Sequence, residues 1–151
     1  MNHSVKILLI LLMFYCCIVN SYAQDISVQF MIGKNQEDVV KNYGKPNHKD
    51  SNDPAMICLF YKDKIKNIVF VSDEKEVYQA EATGLFDSET EARSKFSEVI
   101  QKSILEGFIS DTVSVNNIHI HKKGVKADIN LSVDKNASKY SIQIKASRHN
   151  E

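Results

Sequence analysis

The sequence predicts an α+β fold: an antiparallel meander sheet, or sheets, with two helices packed on one face, laid out as a tandem α–β–β–β plan. Three observations predict it. A short amphipathic pattern between Asn35 and Gly44 and a longer one between Ser88 and Gly107 read as helices. After each, apolar and polar residues alternate, most cleanly at Val125, Ala127, Ile129, Leu131 and Val133. The links between the alternating runs are too short for parallel crossovers, so the runs join as hairpins.

Residues 1–23 are read as a leader and set aside. Lys6 supplies positive charge, ILLILLMFYCCIV (7–19) is apolar, and Ser21-Tyr22-Ala23 fits cleavage before Gln24. The apolar run falls short of the about 20 residues that span a bilayer. Tyr15 stands before Cys16, and Phe14, Tyr15 and Cys16 before Cys17, where a lipobox places small residues, which argues against a lipid anchor. The expected mature chain, 24–151, is one exported α+β domain, periplasmic, extracellular or surface-associated. It has two αβββ halves, about 24–84 and 85–147, and a short C-terminal tail.

Ile26, Val28 and Phe30 alternate with polar residues and read as a short leading strand. Asn35 is placed to cap the first helix, Asp38 favours its dipole, and Gly44 and Pro46 end it. Val39, Val40 and Tyr43 are its expected core contacts. A helix of two turns cannot stand alone, so a sheet must hold it. HKDSNDP (48–54) reads as a loop. MICLFY (56–61) follows as a strand, then a tight Lys62-Asp63-Lys64 link, IKNIVFV (65–71), a turn at SDEKE (72–76), and VYQAEAT (77–83).

Ser88 and Glu91 have capping-box spacing at the start of the second helix. Ala92, Phe96, Val99, Ile100 and Ile104 mark its inner stripe. Three strands are expected after it: TVSVNNIHIH (112–121), VKADINLSV (125–133) and KYSIQIKA (139–146). A two-residue turn at Lys123-Gly124 sets Ile118 and Ile120 on one face with Ala127 and Ile129. It thereby puts His119 opposite Asp128 and His121 opposite Lys126.

Composition narrows function by exclusion. Lys and Arg (19) balance Asp and Glu (19), leaving no basic excess for a nucleic-acid backbone or an anionic membrane. Cys58 is the one cysteine outside the leader, so the mature chain forms no internal disulfide, and a packed strand is a poor setting for a thiolate. No nucleophile elbow, P-loop, dinucleotide fingerprint or H-E-x-x-H motif is present, so no catalytic residue, cofactor or enzymatic activity is assigned. The candidate metal ligands are His119, His121 and Asp128, because His-x-His on a strand points both rings one way. A solvated cross-strand pair explains the same residues. The first three-stranded unit is apolar on both sides: Met56, Cys58 and Phe60 on one, Ile57, Leu59 and Tyr61 on the other. With helices over one side, an apolar face comprising Ile57, Leu59, Tyr61, Val69 and Val71 is the candidate surface for a protein partner or self-association.

Ile32-Gly33-Lys34, Glu37-Asp38-Val39 and Tyr43-Gly44-Lys45-Pro46, followed by Leu59-Phe60-Tyr61 and Ile68-Val69-Phe70, form a pattern. It resembles the SmpA/OmlA (BamE-type) outer-membrane assembly proteins and the related β-lactamase inhibitor protein fold. The doubled helix-and-meander plan is closer to the inhibitor. The resemblance implies a small bacterial exported domain that acts by protein binding or in envelope assembly. The alternative is a small secreted enzyme or metal-binding protein built on the His119, His121 and Asp128 face.

Overall fold

The computed structural model describes residues 25–134 and 138–149; the leader expected over residues 1–23 lies outside the described residues. Among the described residues there are two α-helices, α1 (Gln36–Tyr43) and α2 (Glu89–Leu105). The strands are β1 (His48–Asp50), β2 (Ile57–Lys62), β3 (Lys66–Ser72) and β4 (Val77–Phe86), then β5 (Ile109–Ser114), β6 (Asn117–Lys122), β7 (Val125–Asp134) and β8 (Lys139–Arg148). They form one antiparallel sheet ordered β1-β2-β3-β4-β8-β7-β6-β5. Each half is a helix followed by a four-stranded meander, and the last strands of the two meanders, β4 and β8, pair at the centre.

Both helices start where side-chain chemistry starts them. Asn35 accepts the Asp38 amide at 2.8 Å, and Ser88 accepts that of Glu91 at 3.2 Å. Gly44, at φ 81°, ends α1 in a conformation that side chains resist. The β2–β3 and β3–β4 hairpins are closed by aspartates. Asp63 accepts the amides of Ile65 and Lys66 at 2.9 Å each, and Asp73 those of Lys75 and Glu76 at 2.7 and 2.8 Å. These amides hold the Asp73 carboxyl below its ordinary pKa.

The structure departs from the expected plan in four places. The leading segment is a 3-10 helix, Val28–Met31, and not a strand. It lies over the central strands, and two bonds between Val77 and the chain just after it hold it there: Gly33 N–H to Val77 O and Val77 N–H to Lys34 O, each 2.8 Å. The 48–54 segment contributes β1, paired with β2. The run 112–121 breaks at Val115 and Asn116 into β5 and β6, so each unit has four strands and not three. On the helices, Val40 is 41 % and Ile104 49 % exposed, while Ser103 takes the inward position on α2 beside Val99 and Phe96. The 3.6-residue repeat carries the stripe through 92, 96, 99 and 103, leaving Ile104 on its outer edge.

One face of the sheet carries the core. Inner positions on β4 are small: Ala80, Ala82 and Gly84. They form a trench under the 3-10 segment, and the chain entering that segment packs close: a Cβ on Gly84 would lie 3.4 Å from Ile26. Over β2 and β3 sits α1, with Tyr43 edge-on to Phe70 at 4.9 Å and the Tyr61 hydroxyl donating to Gly44 O at 3.0 Å. A buried polar pair ties the 3-10 segment to α2. Gln29 Nε2 donates to Ser103 Oγ at 3.0 Å, and that hydroxyl donates to Val99 O at 2.7 Å.

The register of the second unit is as expected: Ile118 faces Ile129, His119 faces Asp128 and His121 faces Lys126. That of the first unit is not. Leu59 faces Phe70 and Tyr61 faces Ile68, so odd residues of β2 share a face with even residues of β3. A three-residue link would have kept odd with odd. The last pair is instead Lys62 with Asn67, and an even number of linking residues reverses the parity. The proposed partner surface is therefore split. Ile57, Leu59 and Tyr61 are buried in the core, at 8, 2 and 6 % exposure, while Val69 and Val71 lie on the opposite face.

Candidate functional site: the open face of the sheet

With the 3-10 segment and both helices on one side, the other side of the sheet is open. One row of in-register neighbours crosses all eight strands. Asp111, His119, Asp128, Lys145 and Glu81 run from β5 through β6, β7 and β8 to β4, and Val69, Phe60 and His48 continue it over β3, β2 and β1. The row has two characters. Its β5-to-β4 part is polar: His119 stands between the carboxylates of Asp111 and Asp128, and Lys145 between those of Asp128 and Glu81, an opposed pair of this kind contributing about 0.2–1 kcal/mol. Its β2–β3 part is apolar, with Cys58 and Val71 beside Phe60 and Val69 in the next row, all half-buried. The His48 ring lies 5.6 Å from that of Phe60 and shields its flank.

His119 Nδ1 lies 2.9 Å from Asp128 Oδ1, and His121 Nε2 lies 3.4 Å from Asp111 Oδ2. The two rings stack at 6.0 Å and 28°. The structure thus places His119, His121 and Asp128 on one face, as the spacing predicts, but each ring turns to a carboxylate on a different strand. Among the described residues, no three His, Cys, Asp or Glu side chains are grouped to hold a metal ion. Beside Asp128 is a shallow depression of about 280 Å³ whose lining includes Lys126, Lys145, Glu81 and Gln79. Its two lysines and two carboxylates offer both signs of charge to a ligand.

Burial, and then the Asp50 carboxylate, push the Cys58 thiol above the ordinary cysteine range. Sequence reasoning did not nominate Asp111, Lys145, Glu81 or Phe60. Period-two alternation in β7 and β8 marks Lys145 as outward-facing, but its place beside Asp128 depends on the β7–β8 register, which no local motif announces.

A second depression, also about 280 Å³, lies on the covered side, where the 3-10 segment, α1 and α2 meet; Asp25, Ser27, Tyr43 and Lys102 are among its lining residues. Burial alone would raise the Asp25 pKa. The Ser27 amide, at 2.9 Å, the Ser27 hydroxyl and the Lys102 ammonium, at 3.3 Å, outweigh it and hold the carboxyl below its ordinary value. Burial, the Asp25 charge and Tyr61 push the Tyr43 phenol up, so it stays protonated.

No family model matches this chain, and no curated protein matches it. Among solved structures, it is similar to an extracellular protein containing a SCP domain from Bacillus anthracis, with 16% identity over 80% of this chain and 46% of that one, TM-score 0.42. It is also similar to a cysteine-rich secretory protein from Staphylococcus aureus, with 12% identity over 76% of this chain and 44% of that one, TM-score 0.41. The chain spans less than half the length of either. These neighbours are SCP-domain proteins and not outer-membrane assembly or β-lactamase inhibitor proteins, which overturns the resemblance read on the pattern from Ile32 to Phe70. Among the described residues, no helix is long and apolar enough to cross a membrane.

Proposed function

We propose that this chain is an exported, non-enzymatic binding module, working in the periplasm or at the cell surface, that engages a protein partner through the open face of its sheet. The observation that carries the reading is the half-buried apolar patch of Cys58, Phe60, Val69 and Val71 beside a row in which Lys145 stands between the carboxylates of Asp128 and Glu81. A sheet that needs only one covered face to fold gains nothing in its own core from apolar residues on the other. Such residues beside an ordered charged rim suit a contact in which the patch supplies affinity and the charges set orientation. The apolar leader at residues 7–19 supports export. The test is a photo-crosslinking amino acid at Val69 in cells that make the protein, with the same group at Lys95 on α2 as control. A discrete adduct from position 69, absent from position 95 and lost on Phe60→Asp, is expected. Equal labelling from both positions, or none from position 69, removes the open face as a binding surface.

A further inference from the structure

We infer that the groove between α1 and β1 is a binding site for a short peptide with free termini. The peptide lies extended along α1, its ammonium at Glu37 and Glu74 and its carboxylate at Lys45. The groove is on the covered side of the sheet, so it stands independently of the open face. Because α1 sits over β2 and β3, β1 has no helix above it. What remains between α1 and β1 is a depression of about 660 Å³, more than twice the volume of either depression described above. That volume is within the range of small-ligand sites. Its middle is apolar. Val39 takes the core position on α1, and Val40, 41 % exposed, is left on the groove side with Pro46 and Leu59.

The charges are sorted by end. Gln36 Nε2 donates to Asp73 O at 3.4 Å, which sets the start of α1 against the β3–β4 turn. Glu37 and Glu74 therefore line the same end of the groove. Lys49 of β1 also reaches this end, its Nζ donating to Gln36 Oε1 at 2.9 Å. Two carboxylates against one ammonium leave the end negative. Lys45 lines the groove past the other end of α1, after Gly44. Among the described residues, Glu37, Glu74 and Lys45 form no ion pair. An acidic end, an apolar middle and a basic end complement a peptide running from its ammonium to its carboxylate. The lengths agree. The eight residues of α1 span about 12 Å, and three or four extended residues reach roughly 10–14 Å.

The test uses residues 24–151, which contain every described element, with trialanine and tetra-alanine as probes. Amide chemical shifts and the dissociation constant are the readouts. Shifts at Val40 and Lys49, with dissociation on the order of 0.1–1 mM, are expected for ligands of this size. N-acetylated trialanine and C-amidated trialanine should each bind about tenfold more weakly. Glu37→Gln with Glu74→Gln should remove the discrimination against the acetylated peptide and keep that against the amidated one. Lys45→Gln should do the reverse. Glu106→Gln, outside the groove, should change neither. All four side chains are exposed, so the melting curve is expected to hold. Absence of shifts at Val40 and Lys49 up to about 10 mM trialanine overturns the inference. So does equal binding of free and blocked peptides, or shifts confined to Phe60 and Val69, which would put the peptide on the open face.

Discussion

At the residue scale, the polar groups of this fold act through the backbone amides they hold and through the hydroxyls and charges beside them. Asp25 shows what that does. It accepts the Ser27 amide and meets Lys102 from α2, so the carboxylate is favoured in the folded chain and its pKa lies below the ordinary 3.8. A folded pKa below the unfolded one means that stabilisation is complete above the unfolded value and is lost as pH falls through the folded one. Asp25→Asn is therefore expected to be less stable than wild type at neutral pH, with the gap closing below about pH 4. Urea unfolding of both proteins across that range checks it, and a gap that persists or widens in acid would contradict the assignment. The partial exposure of both partners keeps the effect small.

At the scale of elements, both helices were legible in the sequence because their limits are written locally, in Asn35, Gly44, Ser88 and Gly107. The leading segment was not. Alternation at Ile26, Val28 and Phe30 satisfies a strand, but in this fold the segment lies on the sheet and does not join an edge. What favours a 3-10 helix there is the trench, and the trench belongs to residues about fifty positions away: Ala80, Ala82 and Gly84. Filling it should expel the segment. Ala82 is 1 % exposed, and Ala82→Leu is expected to cost about 1–3 kcal/mol by overpacking. Amide exchange at Val28 and Phe30 should accelerate more than at the β7–β8 pairing. Exchange that rises evenly over the sheet would mean that Ala82 supports the strands and not the cover. The β5–β6 hairpin was missed for a similar reason. Val115 and Asn116 carry no glycine, and only the break in pairing after Ser114 marks the turn.

At the scale of the molecule, the two units have one core. The order of elements was readable, but the joining of the meanders was not, because β4 against β8 is long-range and each strand alone shows only the common period of two. Likewise, the make-up of the open face turned on one link's parity, which moved Leu59 and Tyr61 into the core and brought Phe60 and Cys58 out with Val69 and Val71. The central pairing runs from Gln79 to Phe86 against Ser147 to Tyr140, with Ala82 facing Ile144 and Gly84 facing Ile142 on the inner side. Neither half can expose that seam without giving up main-chain bonds and apolar cover together. Unfolding is therefore expected to be a single transition. Phe70→Ala in the first half should cost about 3–5 kcal/mol and Leu131→Ala in the second about 2–5 kcal/mol. Each should shift the same midpoint, whether followed by circular dichroism or by tyrosine fluorescence. If Phe70→Ala split the curve and left a folded second half, the halves would be separate folding units that merely share a border. Coincident curves would mean that a contact made on the open face of either half stabilises the whole chain.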